Sequence, residues 1–273
     1  MLGKCLENVK EKAPLIHNIT NYVTVNDVAN ALLACGGSPI MSDEPNDVSD
    51  ITSICRGLNI NIGTLNKRSI EAMFISGFKS KELGHIVLLD PVGAGASKLR
   101  TEAAVKIMEE IKPDVIRGNI SEIKTLAIGS GTTKGVDADA ADIVTEENLD
   151  LMVEFVKAFS QKTGAVIAIT GAIDLVADSK KCYVIRNGSP IMSRITGTGC
   201  MLSGLTTAYA VANPDNITDA VAASVCLMGL AGEIGVSNMK ASEGNSSLRN
   251  HIIDAIYNMD ADTLNKGAKY EVR

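Results

Sequence analysis

The run Thr196-Gly197-Thr198-Gly199-Cys200 stands directly before the small, apolar stretch MLSGLTTAYAVA, which reads as a helix. Glycines at a helix start let backbone N–H groups approach an anion closely. The helix end adds unpaired donors and a partial positive charge. Gly197, Thr198 and Gly199 would therefore suit a phosphoryl group in transfer, whose developing charge needs such donors. The same pattern also serves as a tight turn for close helix packing, and G-x-G before a helix does not by itself separate the two uses. Cys200 falls in the first turn, a position that lowers a thiol pKa and favours thiolate. It reads equally as a small buried hydrophobe.

Two carboxylates follow strands or turns in suggestive places. Asp90 ends the apolar run IVLL and opens DPVGAG, and Glu122 closes Asn119-Ile120-Ser121-Glu122. Carboxylates at strand ends suit Mg²⁺, usually held through water. For Glu122, the N-x-x-E spacing is also that of a helix-start cap. His17, in PLIHNITNYVT, reads as a structural histidine preceding a helix. G-x-x-x-x-G-K-[ST] does not occur, nor does G-x-G-x-x-G, since Leu202 takes the motif's sixth position counted from Gly197, so a Walker-type NTPase and an NAD dehydrogenase are both disfavoured.

The elements that must position these residues alternate along the chain. Strands are expected at Pro39–Met41, Leu58–Ile62, His85–Leu89, Val115–Arg117, Ala165–Thr170, Leu175–Ala177 and Cys182–Arg186. Helical patterns lie at Asn26–Cys35, Lys67–Phe78, Thr101–Ile111, Ser121–Ile128 and Glu146–Gln161, with Asn26 and Thr101 as caps. After residue 198 the pattern is all helical: Gly199–Val211, Ile217–Ile234 and Ser247–Tyr257. IVLLD and AVIAIT are almost wholly apolar, as strands covered on both faces are. This is an α/β pattern, a mostly parallel central sheet sandwiched between helices. Ser179-Lys180-Lys181 reads as the turn of a hairpin added at one sheet edge. No low-complexity linker or fixed repeat divides residues 1–273, which are expected to form one domain. Gly129–Asp142, rich in Gly, Thr, Asp and Ala, reads as a surface loop or a flap.

In such a sheet, ligands bind beyond the C-terminal strand ends. Polar or Gly-rich residues follow five strands: Ser42-Asp43, Gly63-Thr64, Asp90 to Gly95, Gly118-Asn119 and Gly171. Five on one edge indicate a site.

Composition narrows the partners. Hydrophobic residues make up 45% and charged residues 21% of 273, enough for a sizeable core, with no Trp. The formal charge of −6 and the lack of a basic stripe argue against nucleic acid. No run of 18 or more apolar residues suggests a membrane span, and no apolar signal core opens the chain. Six scattered cysteines without a C-x-x-C pair, and histidines far apart, give poor support for zinc. The expectation is a cytoplasmic chain with reduced thiols.

DPVGAGA, RGN-x-x-E, AITG and GTGC, in that order, resemble the ribokinase-like superfamily and, within it, the hydroxyethylthiazole kinase family. The resemblance runs from PLIHNITNYV to the helices near residue 235. It implies ATP-dependent phosphorylation of 5-(2-hydroxyethyl)-4-methylthiazole, an alcohol of thiamine salvage, with Mg²⁺. Substrate contacts would fall on Met41, Asn21 and Gly197. Nucleotide contacts would fall on Arg117 and Thr170, and magnesium carboxylates on Asp90 and Glu122. A homotrimer with sites between subunits is implied as well. Most of the superfamily carries Asp, as base, where this chain has Cys200; the thiazole branch carries Cys. Cys200 is thus expected to orient the alcohol and to act as a modest base. Three other readings stay open: a kinase of another vitamin alcohol, which Cys200 and HNITN oppose; a non-catalytic nucleotide binder; and a hydrolase with Cys200 as nucleophile.

Overall fold

The structure, a computed structural model, describes residues 2–128 and 143–273. Residues 129–142, expected as a surface loop or a flap, lie outside the described residues.

Nine strands form one sheet in the order β2-β1-β3-β4-β5-β6-β7-β8-β9. Six of them run parallel: β1 (Leu15–Ile19), β2 (Ser38–Met41), β3 (Gly57–Asn61), β4 (Ile86–Asp90), β5 (Val115–Gly118) and β6 (Val166–Ile169). Then β7 (Asp174–Ala177), β8 (Cys182–Ile185) and β9 (Tyr270–Val272) extend the sheet antiparallel. Because the first six are parallel, the five expected loops emerge from one edge.

Strand side chains alternate between two cores, which is why the strands are apolar at successive positions. Leu88 faces one core, while Val87 and Leu89 face the other. The first core is covered by α1 (Leu2–Lys12), α2 (Val25–Cys35), α8 (Thr198–Ala212), α9 (Ile217–Ser237) and α10 (Asn245–Asn258). The second is covered by α4 (Lys67–Glu82), α5 (Lys98–Glu110), α6 (Ile120–Ile128) and α7 (Leu149–Thr163). Short α3 (Val48–Ile54) follows β2, and α11 (Ala261–Gly267) precedes β9. Without Trp, the helices close by small residues. A Cβ on Gly204 of α8 would lie 3.0 Å from Val28 Cγ1 and 3.4 Å from Leu32 on α2.

Several local expectations are corrected. LIHNI, ahead of α2, is strand β1, which the expected strands omit; its polar interior residues hid it. They are satisfied in place, since His17 Nδ1 lies 3.0 Å from Thr52 Oγ1 and Nε2 lies 2.9 Å from Ser42 O. Burial lowers the His17 pKa, so it is the structural histidine expected. The residues at the helix starts are Thr24 and Ser97 rather than Asn26 and Thr101, and Ser97 Oγ accepts from Arg100 N. The β7–β8 hairpin exists, and Asp178 Oδ1 accepts from Lys180 N and Lys181 N in its turn. It is not the sheet edge, because β9 pairs outside β8.

Candidate active site

The N-terminus of α8 abuts the C-terminal ends of β3 and β4. Gly197 precedes it with φ +92°, and a Cβ there would overlap Thr24 Cγ2. Only glycine meets both constraints without strain. Cys200, in the first turn, receives two amide donors: Asn21 Nδ2 at 3.1 Å and Asn61 Nδ2 at 3.3 Å. Thr24 Oγ1 in turn donates to Asn21 Oδ1 at 3.0 Å. The thiol pKa is raised, chiefly by burial and then by the charge of Asp90. Of the two readings left open for Cys200, this favours the small buried side chain over the thiolate: desolvation outweighs the helix-start effect, and the residue is a thiol at neutral pH.

Asp90 is fully buried at the end of β4. Its Oδ2 accepts from Asn61 Nδ2 at 2.7 Å and from Ser203 Oγ at 2.7 Å, with Arg117 Nη1 at 3.7 Å. Its Oδ1 has no partner among the described residues. Burial raises the carboxyl pKa to about 6; Arg117 opposes the rise and Glu122 adds to it. Glu122 braces two loops, accepting at Oε1 from Gly93 N (2.9 Å) and at Oε2 from Asn119 N (2.8 Å). Glu122 N donates to Asn119 Oδ1 at 2.8 Å. The N-x-x-E run is therefore a reciprocal helix cap.

On the other side of α8 lies a cavity of about 580 Å³. Arg117, Thr170, Asp174, Arg186, Asn187 and Thr198 are among its polar lining, and Met192, Leu202, Val225 and Met228 contribute apolar wall. Arg117 Nη2 donates to Thr170 Oγ1 at 2.6 Å. A Cβ on Gly199 would lie 2.7 Å from Arg117 Nη1, so this glycine makes room for the guanidinium.

The site residues thus fall into two groups that meet at α8: Asn21, Cys200, Asp90 and Gly197 on one side, and Arg117, Thr170, Thr198 and Gly199 on the other. Met41 stands apart at the C-terminal end of β2, opposite Asn18 in register and partly buried.

A profile of the hydroxyethylthiazole kinase family matches residues 6–262. The chain belongs to this family. The hydroxyethylthiazole kinase of Clostridium acetobutylicum is 60% identical over 271 residues, 99% of each chain. That of Clostridium tetani is 47% identical over 97% of this chain and 95% of its own. Among solved structures, the hydroxyethylthiazole kinase protein of Pyrococcus horikoshii OT3 superposes with a TM-score of 0.87 at 30% identity, covering 100% of this chain and 98% of its own. A pyridoxal kinase from Staphylococcus aureus, solved with AMP-PCP and pyridoxal, shares the fold alone: TM-score 0.63, 15% identity, 95% and 98% coverage. The family and these neighbours bear out the ribokinase-like fold expected from the order of DPVGAGA, RGN-x-x-E, AITG and GTGC.

Sequence reading missed Asn61, Ser203 and most of the cavity wall. Ser203 lies three residues beyond Cys200, one turn along α8, and that spacing was an available signal. Asn61 gave less: it falls inside the expected strand Leu58–Ile62, next but one to Asn59, and nothing in the sequence singles it out. Met192 and Met228 come from separate helical segments that only folding brings together.

Proposed function

We propose that this member of the hydroxyethylthiazole kinase family transfers the γ-phosphate of ATP to the hydroxyl of 5-(2-hydroxyethyl)-4-methylthiazole. The observation that carries the reading is the meeting of two unlike sides at one helix start. An open cavity lined by Arg117 adjoins a packed cluster around Cys200, and Gly197 to Gly199 lie between them. In this reading ATP fills the cavity, with Arg117 and Thr170 toward its phosphates. The alcohol lies on the Cys200 side, near Asn21 and Met41, whose sulfur suits an aromatic ring. Arg117 and the α8 N–H groups stabilise charge on the phosphoryl group as it passes. Cys200, a thiol, orients the alcohol and takes at most a modest share of its proton.

Asp90 and Glu122 are the residues that would hold Mg²⁺. The unpartnered Asp90 Oδ1 and the mutual repulsion of the two carboxylates support this fit. When bound, the ion would neutralise phosphate charge. The same reading includes a cytoplasmic homotrimer with sites between subunits. Tyr22 and Val23, beside Asn21, are 77% and 58% exposed, and a neighbouring subunit would cover them. All six cysteines are free, as in a reducing compartment.

The test is ATP consumption with and without the thiazole alcohol. Stimulation by this alcohol and not by pyridoxal supports the reading; equal stimulation by both, or none, overturns it.

A further inference from the structure

Asn61 lies beneath Cys200 with its side chain buried. Parallel pairing of β3 and β4 sets it directly against Asp90 in register. Its amide orientation is not arbitrary. The backbone N–H of Gly63, which can only donate, reaches Asn61 Oδ1 at 2.9 Å. That fixes Oδ1 as the acceptor and turns Nδ2 toward Asp90 Oδ2 (2.7 Å) and Cys200 Sγ (3.3 Å). The polarity then spreads. Asn21 Nδ2 donates to Asn61 Oδ1 at 3.1 Å and to Cys200 Sγ at 3.1 Å, while its own Oδ1 takes the Thr24 hydroxyl. Both amides are thus held with their donors on one sulfur. Two N–H donors occupy both lone pairs of a thiol, so its S–H is left to point elsewhere.

We propose that Asn61 is the positioning residue of the acceptor side: it ties the Cys200 thiol to Asp90 and fixes the direction in which Cys200 meets the alcohol. It does not touch the reacting atoms in this arrangement; it acts through Cys200 and Asp90. The proposal rests on the kinase reading above.

The experiment uses the full chain. Wild-type turnover of the thiazole alcohol is measured first; without it the kinase reading falls, and this proposal with it. Given turnover, Asn61→Ala should lower kcat about tenfold or more, a typical effect of lost orientation. The ATP Kd should stay within about threefold, because Asn61 does not line the nucleotide cavity. In a Cys200→Ala background, followed by single turnover at high enzyme, the further loss from Asn61→Ala should shrink to less than about threefold, since coupled residues are not additive. Cys200 alkylation by iodoacetamide, read by mass spectrometry, should change by about threefold or more, with the other cysteines still protected. If Asn61→Ala does not fold, Asn61→Ser is carried through the same measurements. Independent, multiplicative losses in the two backgrounds, or an unchanged alkylation rate, would overturn the proposal and leave the kinase reading standing.

Discussion

The two sides of the α8 start differ in how much room they leave. On the Cys200 side, Thr24, Asn21, Asn61, Asp90 and Ser203 form a hydrogen-bonded chain with little slack, and Gly197 is pressed against Thr24. On the Arg117 side, a cavity of about 580 Å³ is lined by Met192, Leu202, Val225 and Met228 together with polar groups such as Arg117, Asp174 and Arg186. In a phosphoryl transfer, the small acceptor must be aimed, while the large donor must mainly be held. A packed polar cluster aims; a roomy cavity holds. Changes on the packed side should therefore appear in kcat, and changes on the open side in nucleotide affinity.

Arg117 tests the comparison hardest because it belongs to both sides, touching Thr170 and standing 3.7 Å from Asp90. Arg117→Ala should lower kcat by about 10²–10³-fold, as loss of a charge-stabilising donor does. It should also weaken ATP binding. Steady-state kinetics together with ATP titration read both. Loss of one without the other would mean that the guanidinium serves a single side.

Gly197→Ala should act on the packed side alone. The positive φ and the overlap with Thr24 Cγ2 together should cost about 1–3 kcal/mol of stability and lower kcat, with ATP affinity held. Adding Thr24→Ser removes Cγ2 but keeps the hydroxyl that Asn21 needs. The pair should regain the steric part of the loss and not the part due to φ. Thermal melts of both variants decide this.

Asp90 gives a pH signature. Its folded-state pKa, about 6, is higher than that of an unfolded Asp. Between roughly pH 4 and 6 the native state binds the extra proton, so stability falls as pH rises through this window and then levels off. The ionised carboxylate is a burden at neutral pH. Asp90→Asn should therefore raise stability at pH 8 by on the order of 1–2 kcal/mol, less than the full shift because Arg117 loses its counter-charge. The gain should vanish near pH 4, and activity should be lost. Denaturant melts at the two pH values check the sign. An equal effect at both would remove burial as the cause.

The same contrast explains what was legible in the chain. The loops DPVGAG and GTGC were readable because glycine and a strand-ending acid are unusual choices, and their order carried the family. The packed side was mostly hidden. Asn61 becomes informative only when register sets it against Asp90 and α8 brings Cys200 over it. Strand β1 was missed because His17 and Asn18 break the apolar run, and their partners, such as Thr52 and Asn59, lie far along the chain. For Cys200 the sequence left two readings, a helix-start thiolate and a small buried hydrophobe, and only packing decides between them, because burial raises the thiol pKa. The cavity wall was hidden for a plainer reason: methionine and valine in a helix look like core.

Cys200→Asp is the mildest perturbation and the most discriminating one for the packed side. The two amides at residue 200 donate to whatever acceptor stands there. A carboxylate accepts such donors better than sulfur does, and it is a stronger base than a thiol held above its ordinary pKa. Against this stands Asp90, whose charge would repel a second carboxylate nearby. Phosphoryl transfer asks little of a base, so neither term should dominate. The rate should hold or rise, within about tenfold of the wild type, with the ATP Kd unchanged. A collapse of kcat in a folded protein would show that sulfur itself, and not an acceptor held by two amides, is what the packed side was built around.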